Sequence, residues 1–479
     1  MGASSLRSLY SIQYPTVIVY MLQNTEYRVG PYLKWYWQTS NFSKVMYRRR
    51  LEPTRAARLL LATVRVGILL ELGIGVASIV AWWQGDLKGG LAFGLAIILA
   101  YPVVWAHLVI VPLGLGWLVT KPLEWRQIRA SHQIFANFGG IKIAVAGSYG
   151  KTSMKELLLT VLGQGRKVAA TPANKNVAIS HARFAKELSG NEDILIIEFG
   201  EGGPGDVARF AQNTHPTHGI ITGLSPAHLD KYKTLQRAGE DIFSLANYVP
   251  PKQLYVNAES QAATPFIKST YQAYNQKGVL GWKIDGVRIN LDGTKFVMRK
   301  DKQILELHSG LVGRHQVGPL ALAAALAYQF GLSAKQIAIG IAKTEPFEHR
   351  MQPYKLHGAW IIDDTYNGNL EGVRVGIELL HELPGRRKIY VTPGLVDQGK
   401  DSDKIHEQMG RLIAKASPDI VVLMQHSVTK HIQKGLDIGH YKGQLLIQDD
   451  PLAFYNNLPV FVANGDLVLM QNDWPDSYR

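Results

Sequence analysis

The sequence predicts an α/β protein with a helical hairpin of membrane-spanning length near its N-terminal end. Three observations carry that prediction. Two long apolar runs fill residues 66–83 and 91–119. Beyond them, short β-rich runs alternate with helical stretches, the pattern of a mostly parallel sheet covered on both faces. The first β-rich run, residues 141–146, leads into AGSYGKTS, a glycine turn followed by the start of a helix.

Composition narrows the field. A chain of 479 residues is long enough for two or three domains. It has no cysteine, which excludes a disulfide framework, a thiol nucleophile and a thiolate metal site. The formal charge of +14 is uneven, because residues 1–130 hold 14 Lys and Arg against 5 Asp and Glu. A nucleic-acid binder more often spreads its basic residues over its folded domains, so no nucleic-acid partner is expected. Here the excess flanks apolar segments, which points to a lipid bilayer as the partner.

The hairpin is expected within a membrane segment spanning residues 1–131. The first run is broken only by Glu71, and the second contains Pro102, His107 and Pro112. Crossing a bilayer takes about twenty apolar residues, and the second run is long enough to tilt or to kink at a proline. A polar link, Gln84 to Lys88, joins the two. Lys44, Arg48, Arg49, Arg50, Arg55, Arg58 and Arg65 precede the first run, and Lys121, Arg126 and Arg129 follow the second. The positive-inside rule then sets both ends in the cytoplasm and the link outside. The expected location is the cytoplasmic (inner) membrane, multi-pass, with the soluble part in the cytoplasm. The aromatic cluster YLKWYW at residues 32–37 suits the headgroup level. The runs start far from Met1, unlike a cleaved leader. Glu71 is expected in a salt bridge or near a helix end, with a functional intramembrane carboxylate as the alternative.

Next comes a central α/β unit, expected over residues 132–346. Strand, glycine turn and helix N-terminus together cradle phosphate, because backbone N–H groups and the helix dipole face the anion. Gly147, Ser148 and Gly150 form the turn, and Lys151, Thr152 and Ser153 open a helix expected over Met154–Leu162. The lysine supplies a full positive charge, and the threonine hydroxyl can ligate Mg²⁺. The loop is shorter than a strict Walker A, since Val145 stands where that pattern has a glycine. Further strands are expected at Lys167–Ala170, Ile194–Ile197, Gly219–Thr222 and Gln253–Val256. An alanine-rich helix fills residues 321–329, with Gly331 as its C-cap.

A second α/β unit is expected over residues 347–479, after a boundary between Pro346 and Pro353. Its strands are expected at Ala359–Ile362, Lys388–Thr392, Ile420–Met424 and Leu467–Met470.

Four patches join the phosphate loop: Thr171-Pro172-Ala173-Asn174-Lys175-Asn176; Ile196-Ile197-Glu198-Phe199-Gly200; Ser225-Pro226-Ala227-His228-Leu229-Asp230; and Arg350 followed by Asp363-Asp364-Thr365-Tyr366-Asn367-Gly368-Asn369. A carboxylate at the C-terminal end of a strand lies where α/β sheets bind ligands. In this order the loop and patches resemble the Mur ligase family of ATP-dependent amide-forming enzymes. The resemblance covers roughly residues 140–479. It is strongest to the branch that adds D-Ala-D-Ala to a UDP-muramoyl-tripeptide of peptidoglycan.

The resemblance implies a P-loop-type central ATPase domain and a Rossmann-like C-terminal domain. It also implies ATP and Mg²⁺ as cofactors. The partners would be a cell-wall precursor, UDP-linked or lipid-linked, and an amino acid or dipeptide. ATP would phosphorylate the precursor's carboxylate, and an amine would attack the acyl phosphate. The resemblance assigns catalytic roles to Lys151, Glu198, His228 and Arg350. Thr152, Glu198 and His228 would hold Mg²⁺. Gly147, Ser148, Gly150, Lys151, Thr152, Ser153, Asn174, His315, Asp364, Tyr366 and Asn367 would surround the nucleotide, with Arg350 reaching the γ-phosphate.

The sequence departs from the family in four places. The membrane segment stands where the UDP-sugar-binding domain is usual. Gly239 occupies the position of a lysine that ligates a second Mg²⁺ in some members, with Glu240 and Asp241 beside it as candidate substitutes. The adenine patch H-N-x-x-N reads His315-Gln316-Val317-Gly318-Pro319. The run G-D-M-x-E-L-G reads Pro393-Gly394-Leu395-Val396-Asp397-Gln398-Gly399. Two alternatives stand beside the ligase of a UDP-linked precursor. One is a ligase of a lipid-linked precursor. The other is a nucleotide-binding membrane scaffold without ligase activity.

Overall fold

The computed structural model describes residues 7–45, 50–172, 175–226, 229–366, 368–396, 398 and 401–472. The chain divides into two compact units, one formed by the N-terminal residues up to Glu124 and the other beginning at Trp125.

The first unit is helical. The short helices Tyr14–Asn24 and Val29–Gln38 precede the long Arg55–Trp83, and Gly90–Leu108 then runs back along it. Thr54 caps the long helix by accepting from the Ala57 N–H at 3.2 Å. Glycines bring the two apolar helices into backbone contact: a Cβ at Gly94 would stand 2.5 Å from the Gly75 carbonyl oxygen, and one at Gly90 would stand 2.4 Å from that of Ser78. Among the described residues Glu71 makes no salt bridge; it accepts from the Trp105 indole at 2.6 Å, which joins the two helices. The run expected as one helix over 91–119 is two, Gly90–Leu108 and Ile110–Asn137. Pro112 accounts for the break, because it cannot donate to the Leu108 carbonyl. Tyrosines fill the neighbourhood of the break: Tyr32 donates to the Ala106 carbonyl at 2.8 Å and Tyr36 to that of Pro102 at 3.3 Å. By length and composition both apolar segments can cross a membrane, and only 28% of each apolar window is buried. Leu69, Leu70, Ile74 and Trp83 on one, and Leu99, Leu118 and Val119 on the other, face outward.

The second unit holds three sheets. In the first, β1 (Ile141–Ala146), β2 (Val168–Ala170), β3 (Ile194–Glu198), β4 (His218–Ile221), β5 (Leu254–Asn257) and β6 (Gln272–Tyr274) are all parallel, in the order β2-β3-β1-β4-β5-β6. Alternate residues of β1 feed opposite cores. Ile143 and Val145 pack with Met154, Leu158 and the helix Val317–Gln329, while Ala144 and Ala146 pack with Phe184, Phe210 and Ile242. Burial on both faces makes β1 apolar apart from Lys142, whose buried ammonium donates to the Phe135 and Phe138 carbonyls. Successive strands are added on one side of β1 up to β3 and on its other side from β4, so its C-terminal end opens at a topological switch point.

The second sheet is antiparallel: β7 (Gly278–Val279), β8 (Trp282–Asn290), β9 (Gly293–Lys300) and β10 (Gln303–Ser309), in the order β10-β9-β8-β7. The third comprises β11 (Gln352–Leu356), β12 (Ala359–Asp364), β13 (Lys388–Thr392), β14 (Ile420–Met424), β15 (Gln444–Gln448) and β16 (Leu467–Gln471). Its order is β11-β12-β16-β13-β14-β15, with only β11 antiparallel to its neighbour. Each expected strand is present within a residue or two of its expected bounds. β6 to β11 and β15 are additions. Gly331, at φ +86°, follows the alanine-rich helix as expected.

Candidate active site

The loop after β1 is built around two glycines in the left-handed region, Gly147 at φ +141° and Gly150 at φ +73°. At Gly147 a Cβ would stand 2.3 Å from Thr222 Oγ1, so the close approach of β4 leaves no room for a side chain. The loop is tied to that strand's end by Ser148 N–H donating to the Gly223 carbonyl at 2.9 Å. Helix Lys151–Leu162 starts directly after Gly150, three residues earlier than expected. Its first intrahelical bond is Met154 N–H to the Gly150 carbonyl, at 2.9 Å. The amides of Lys151, Thr152 and Ser153 precede it and are oriented for an anion.

Two carboxylates meet the start of this helix. Thr152 Oγ1 donates to Glu198 Oε1 at 3.1 Å, and Asn176 Nδ2 donates to the same oxygen at 3.2 Å. Lys151 Nζ lies 3.0 Å from Glu201 Oε1 and also donates to the Gly147 carbonyl. Neither Glu198 Oε2 nor Glu201 Oε2 accepts a hydrogen bond from the described residues, and Ser148 Oγ is likewise unpartnered.

A second layer fixes Glu198. Thr171 Oγ1 accepts from its N–H at 3.0 Å, and His181 Nε2–H donates to its carbonyl at 2.8 Å. Burial pushes the His181 imidazole down to about 4, so it is neutral and carries its proton on Nε2. Fully buried Lys155 donates to the Thr171 carbonyl at 2.9 Å and lies 3.8 Å from Glu198 Oε2.

The C-terminal part contributes a separate group. Arg350 sits between His349 and Met351, both at positive φ, and stacks its guanidinium 4.2 Å from the Tyr366 ring centroid. His349 Nδ1 pairs with Asp363 Oδ2 at 2.8 Å. Asp364 accepts from Gln471 Nε2 at 2.9 Å and from the Met351 N–H at 3.3 Å. Burial pushes its carboxyl up to about 7. His315 accepts from Gln316 Nε2 at 2.9 Å and is pushed down to about 4 by desolvation, then by the Arg374 charge. Arg374 and Glu371, on the helix Leu370–Glu382, also act electrostatically on Tyr149 of the phosphate loop. Burial raises that phenol to about 12. Asn174, His228 and Asn367 lie outside the described residues, as does Asp397.

The residues beside Gly239 have other duties. A Cβ at Gly239 would lie 2.3 Å from the Phe266 ring, which excludes a side chain. Asp241 accepts from Gly205 N–H at 2.7 Å and from Tyr232 OH at 2.8 Å, while Glu240 accepts from Gln236 at 3.0 Å. The idea that either acid replaces the lysine is thus corrected for Asp241, whose two oxygens are committed, and gains nothing for Glu240. Among the described residues no group of three or more His, Asp or Glu converges on one point. The donor set still fits Mg²⁺, a hard cation that takes one or two protein carboxylates and completes its shell with water and phosphate. Thr152 and Glu198 are such oxygens. Glu201, Lys155, His181 and Arg374 formed no part of the expected site, and Asn176 stood in its patch without a role. The only sequence signal for them was proximity to the motifs.

Residues 145–327 match the Mur ligase middle domain. Over this middle domain the chain resembles the Mur ligase family. The chain resembles UDP-N-acetylmuramoyl-tripeptide–D-alanyl-D-alanine ligase of Mycobacterium tuberculosis, with 26% identity over 336 residues, 65% of this chain and 63% of that one. The corresponding ligase of Escherichia coli is 25% identical over 297 residues, 58% and 63% of the two chains. The chain thus spans less than two thirds of the length of these curated relatives. Among solved structures, MurF from Acinetobacter baumannii superposes with a TM-score of 0.64 at 18% identity, covering 74% of this chain and 78% of that one. MurF from Thermotoga maritima in complex with ADP gives 0.62 at 21%, covering 73% and 80%. The α/β fold with its parallel sheets is therefore that of the Mur ligases.

Proposed function

We propose that this chain is a membrane-anchored, ATP-dependent acid–amino-acid ligase. It would add D-Ala-D-Ala or a similar amino component to a peptidoglycan precursor. The observation that carries the reading is the pairing at the start of the loop helix, with Lys151 and Thr152 facing two buried carboxylates on a phosphate-cradling turn. The domains would be a membrane segment over 1–131, a P-loop-type middle domain over 132–346 and a Rossmann-like C-terminal domain over 347–479.

In this reading the precursor's carboxylate attacks the γ-phosphorus of ATP and ADP leaves. The amine then attacks the acyl carbon, phosphate departs and the amine loses a proton. Phosphoryl transfer needs positioning and charge more than covalent help. The loop amides and Lys151 hold the phosphates, and Arg350 supports the γ-phosphate. His315, Asp364 and Tyr366 frame the nucleotide. Mg²⁺, held by Thr152 and Glu198 with His228 as a further ligand, would neutralise charge developing on the transferred group.

The outward-facing leucines and tryptophans of the hairpin support the anchor, because a hairpin buried in a soluble core would not expose them. The same exposure favours a second reading, in which the acceptor is lipid-linked and lies at the bilayer. Both locate the protein in the cytoplasmic membrane with the ligase unit in the cytoplasm.

Full-length protein purified in detergent, given ATP, Mg²⁺ and D-Ala-D-Ala, should release ADP and phosphate only when a precursor is added. UDP-linked and lipid-linked precursors in parallel distinguish the two acceptors. Lys151→Ala should slow turnover by about 10²-fold or more, and because it leaves Glu201 without its counter-charge, a circular dichroism spectrum checks that the variant is folded. No precursor-dependent ATP turnover with either acceptor would leave only a nucleotide-binding scaffold. Near-wild-type turnover in Lys151→Ala would refute the site.

A further inference from the structure

Glu201 lies three residues beyond Glu198, in the loop that leaves β3, and the reading above gives it no part in the reaction. Its side chain is only 4% exposed. One oxygen pairs with the Lys151 ammonium at 3.0 Å, and the other accepts no hydrogen bond from the described residues. Glu198, 3% exposed, is comparable: one oxygen is engaged with Thr152, and the other accepts no hydrogen bond from the described residues and lies 3.8 Å from the Lys155 ammonium. Adjacent residues at the helix start therefore each hold one buried carboxylate, and each carboxylate keeps one oxygen unused. A buried anion needs a counter-charge, and Lys151 is the cation in hydrogen-bonding reach of Glu201.

That pairing conflicts with the binding of a polyphosphate. The loop amides and Lys151 form the anion cradle, so a phosphate chain seated there competes with Glu201 for the same ammonium. A bare nucleotide would leave Glu201 buried, without its counter-ion and facing a ligand of its own sign. A nucleotide carrying a divalent cation brings the compensating charge. The unused oxygens of Glu201 and Glu198 are hard donors suited to such a cation. We propose that Glu201 is a metal-coupling residue: its carboxylate neutralises Lys151 and becomes a ligand of a divalent cation that arrives with the nucleotide's phosphates. The loop then accepts metal-complexed nucleotide and disfavours the bare anion. This rests on the nucleotide-binding reading above.

The test is nucleotide affinity rather than turnover. A fluorescent ATP analogue is titrated into the detergent-purified full chain in saturating Mg²⁺ and in EDTA. Mn²⁺ binding in the presence of a non-hydrolysable ATP analogue is followed by electron paramagnetic resonance. Couplings between two ligands typically amount to about 5–150-fold, and wild type should show Mg²⁺-assisted binding in that range. Glu201→Gln keeps the shape and removes the charge. It should tighten binding in EDTA by about tenfold, shrink the Mg²⁺-to-EDTA affinity ratio and weaken Mn²⁺ binding. Glu201→Ala, with an unchanged circular dichroism spectrum, should move all three in the same direction. An unaltered affinity ratio in Glu201→Gln, or weaker binding in EDTA, would overturn the proposal and leave Glu201 as a structural clamp on Lys151. A wild type that binds no adenine nucleotide even with Mg²⁺ would overturn the proposed function as well, which separates the two failures.

Discussion

At the scale of single residues, the charges of the site are set by what each group loses on burial. Asp364 shows this most directly. Its carboxyl is pushed up to about 7, against an ordinary value near 4, because desolvation outweighs the bonds from Gln471 and Met351. A carboxyl raised in the folded state contributes stability that is full below its unfolded value and is lost as pH rises through the folded one. Stability referable to Asp364 should therefore fall between about pH 4 and pH 7. Asp364→Asn keeps acceptor capacity without the charge. It should gain on wild type by up to about 4 kcal/mol as pH rises from 4 to 8. Denaturant unfolding at the two pH values measures the difference, and a gap that does not widen with pH would refute the shift. Lys151, Thr152 and Glu198, which the fold gathers at the loop helix, stood out because their types recur in an ordered pattern around a glycine turn, whereas Arg350 lies in a separate group with Tyr366. Glu201 did not stand out, since its meaning depends on Lys151, fifty positions earlier in the chain. Lys155 reads in sequence as an ordinary helix lysine, and only the fold reveals that it is buried between Thr171 and Glu198.

At the scale of elements, burial on both faces decides what a sequence discloses. β14 is continuously apolar, and β1 and β3 are apolar but for Lys142 and Glu198, because both of their faces are covered, and such runs stand out. β8 and β9 have one wet face: Lys283, Asp285 and Arg299 are exposed while Phe296 and Met298 are buried. Their charged alternation hid the antiparallel sheet. β11 and β15 are short edge strands with few buried residues, which hid them in turn. The helix Leu235–Phe243 carries a sharper lesson. Gly239 permits the Phe266 ring to pack against its backbone, so a lysine there is sterically refused rather than merely absent. Gly239→Lys should destabilise the protein by about 1–3 kcal/mol through overpacking. The effect should shrink when introduced into Phe266→Ala, with a coupling of about 1 kcal/mol in the double-mutant cycle. Strict additivity of the two substitutions in thermal unfolding would show that the ring is not the obstacle.

At the scale of the whole molecule, the N-terminal unit raises a question of environment rather than chemistry. The helices Arg55–Trp83 and Gly90–Leu108 lie against each other through glycines, so their contact uses small residues and leaves the large ones outside. In water that arrangement would expose a broad apolar surface, whereas in lipid it is the expected packing. The polar turn near Gly85 and Asp86 joins the two helices, and arginines occupy the start of the first. On the proposed membrane reading, the charge asymmetry would set the turn outside and the arginines inside. The chain has no cysteine, so single introduced cysteines report position without background. In intact cells a membrane-impermeant maleimide should label Asp86→Cys, and should label Arg58→Cys or Glu124→Cys only after permeabilisation. Insertion with opposite polarity would exchange these patterns and move the phosphate loop away from cytoplasmic ATP, which would sink the ligase reading too. Recovery of the chain in the soluble fraction, with equal labelling before and after lysis at all three positions, would instead remove the membrane and return the exposed apolar surface to a protein partner.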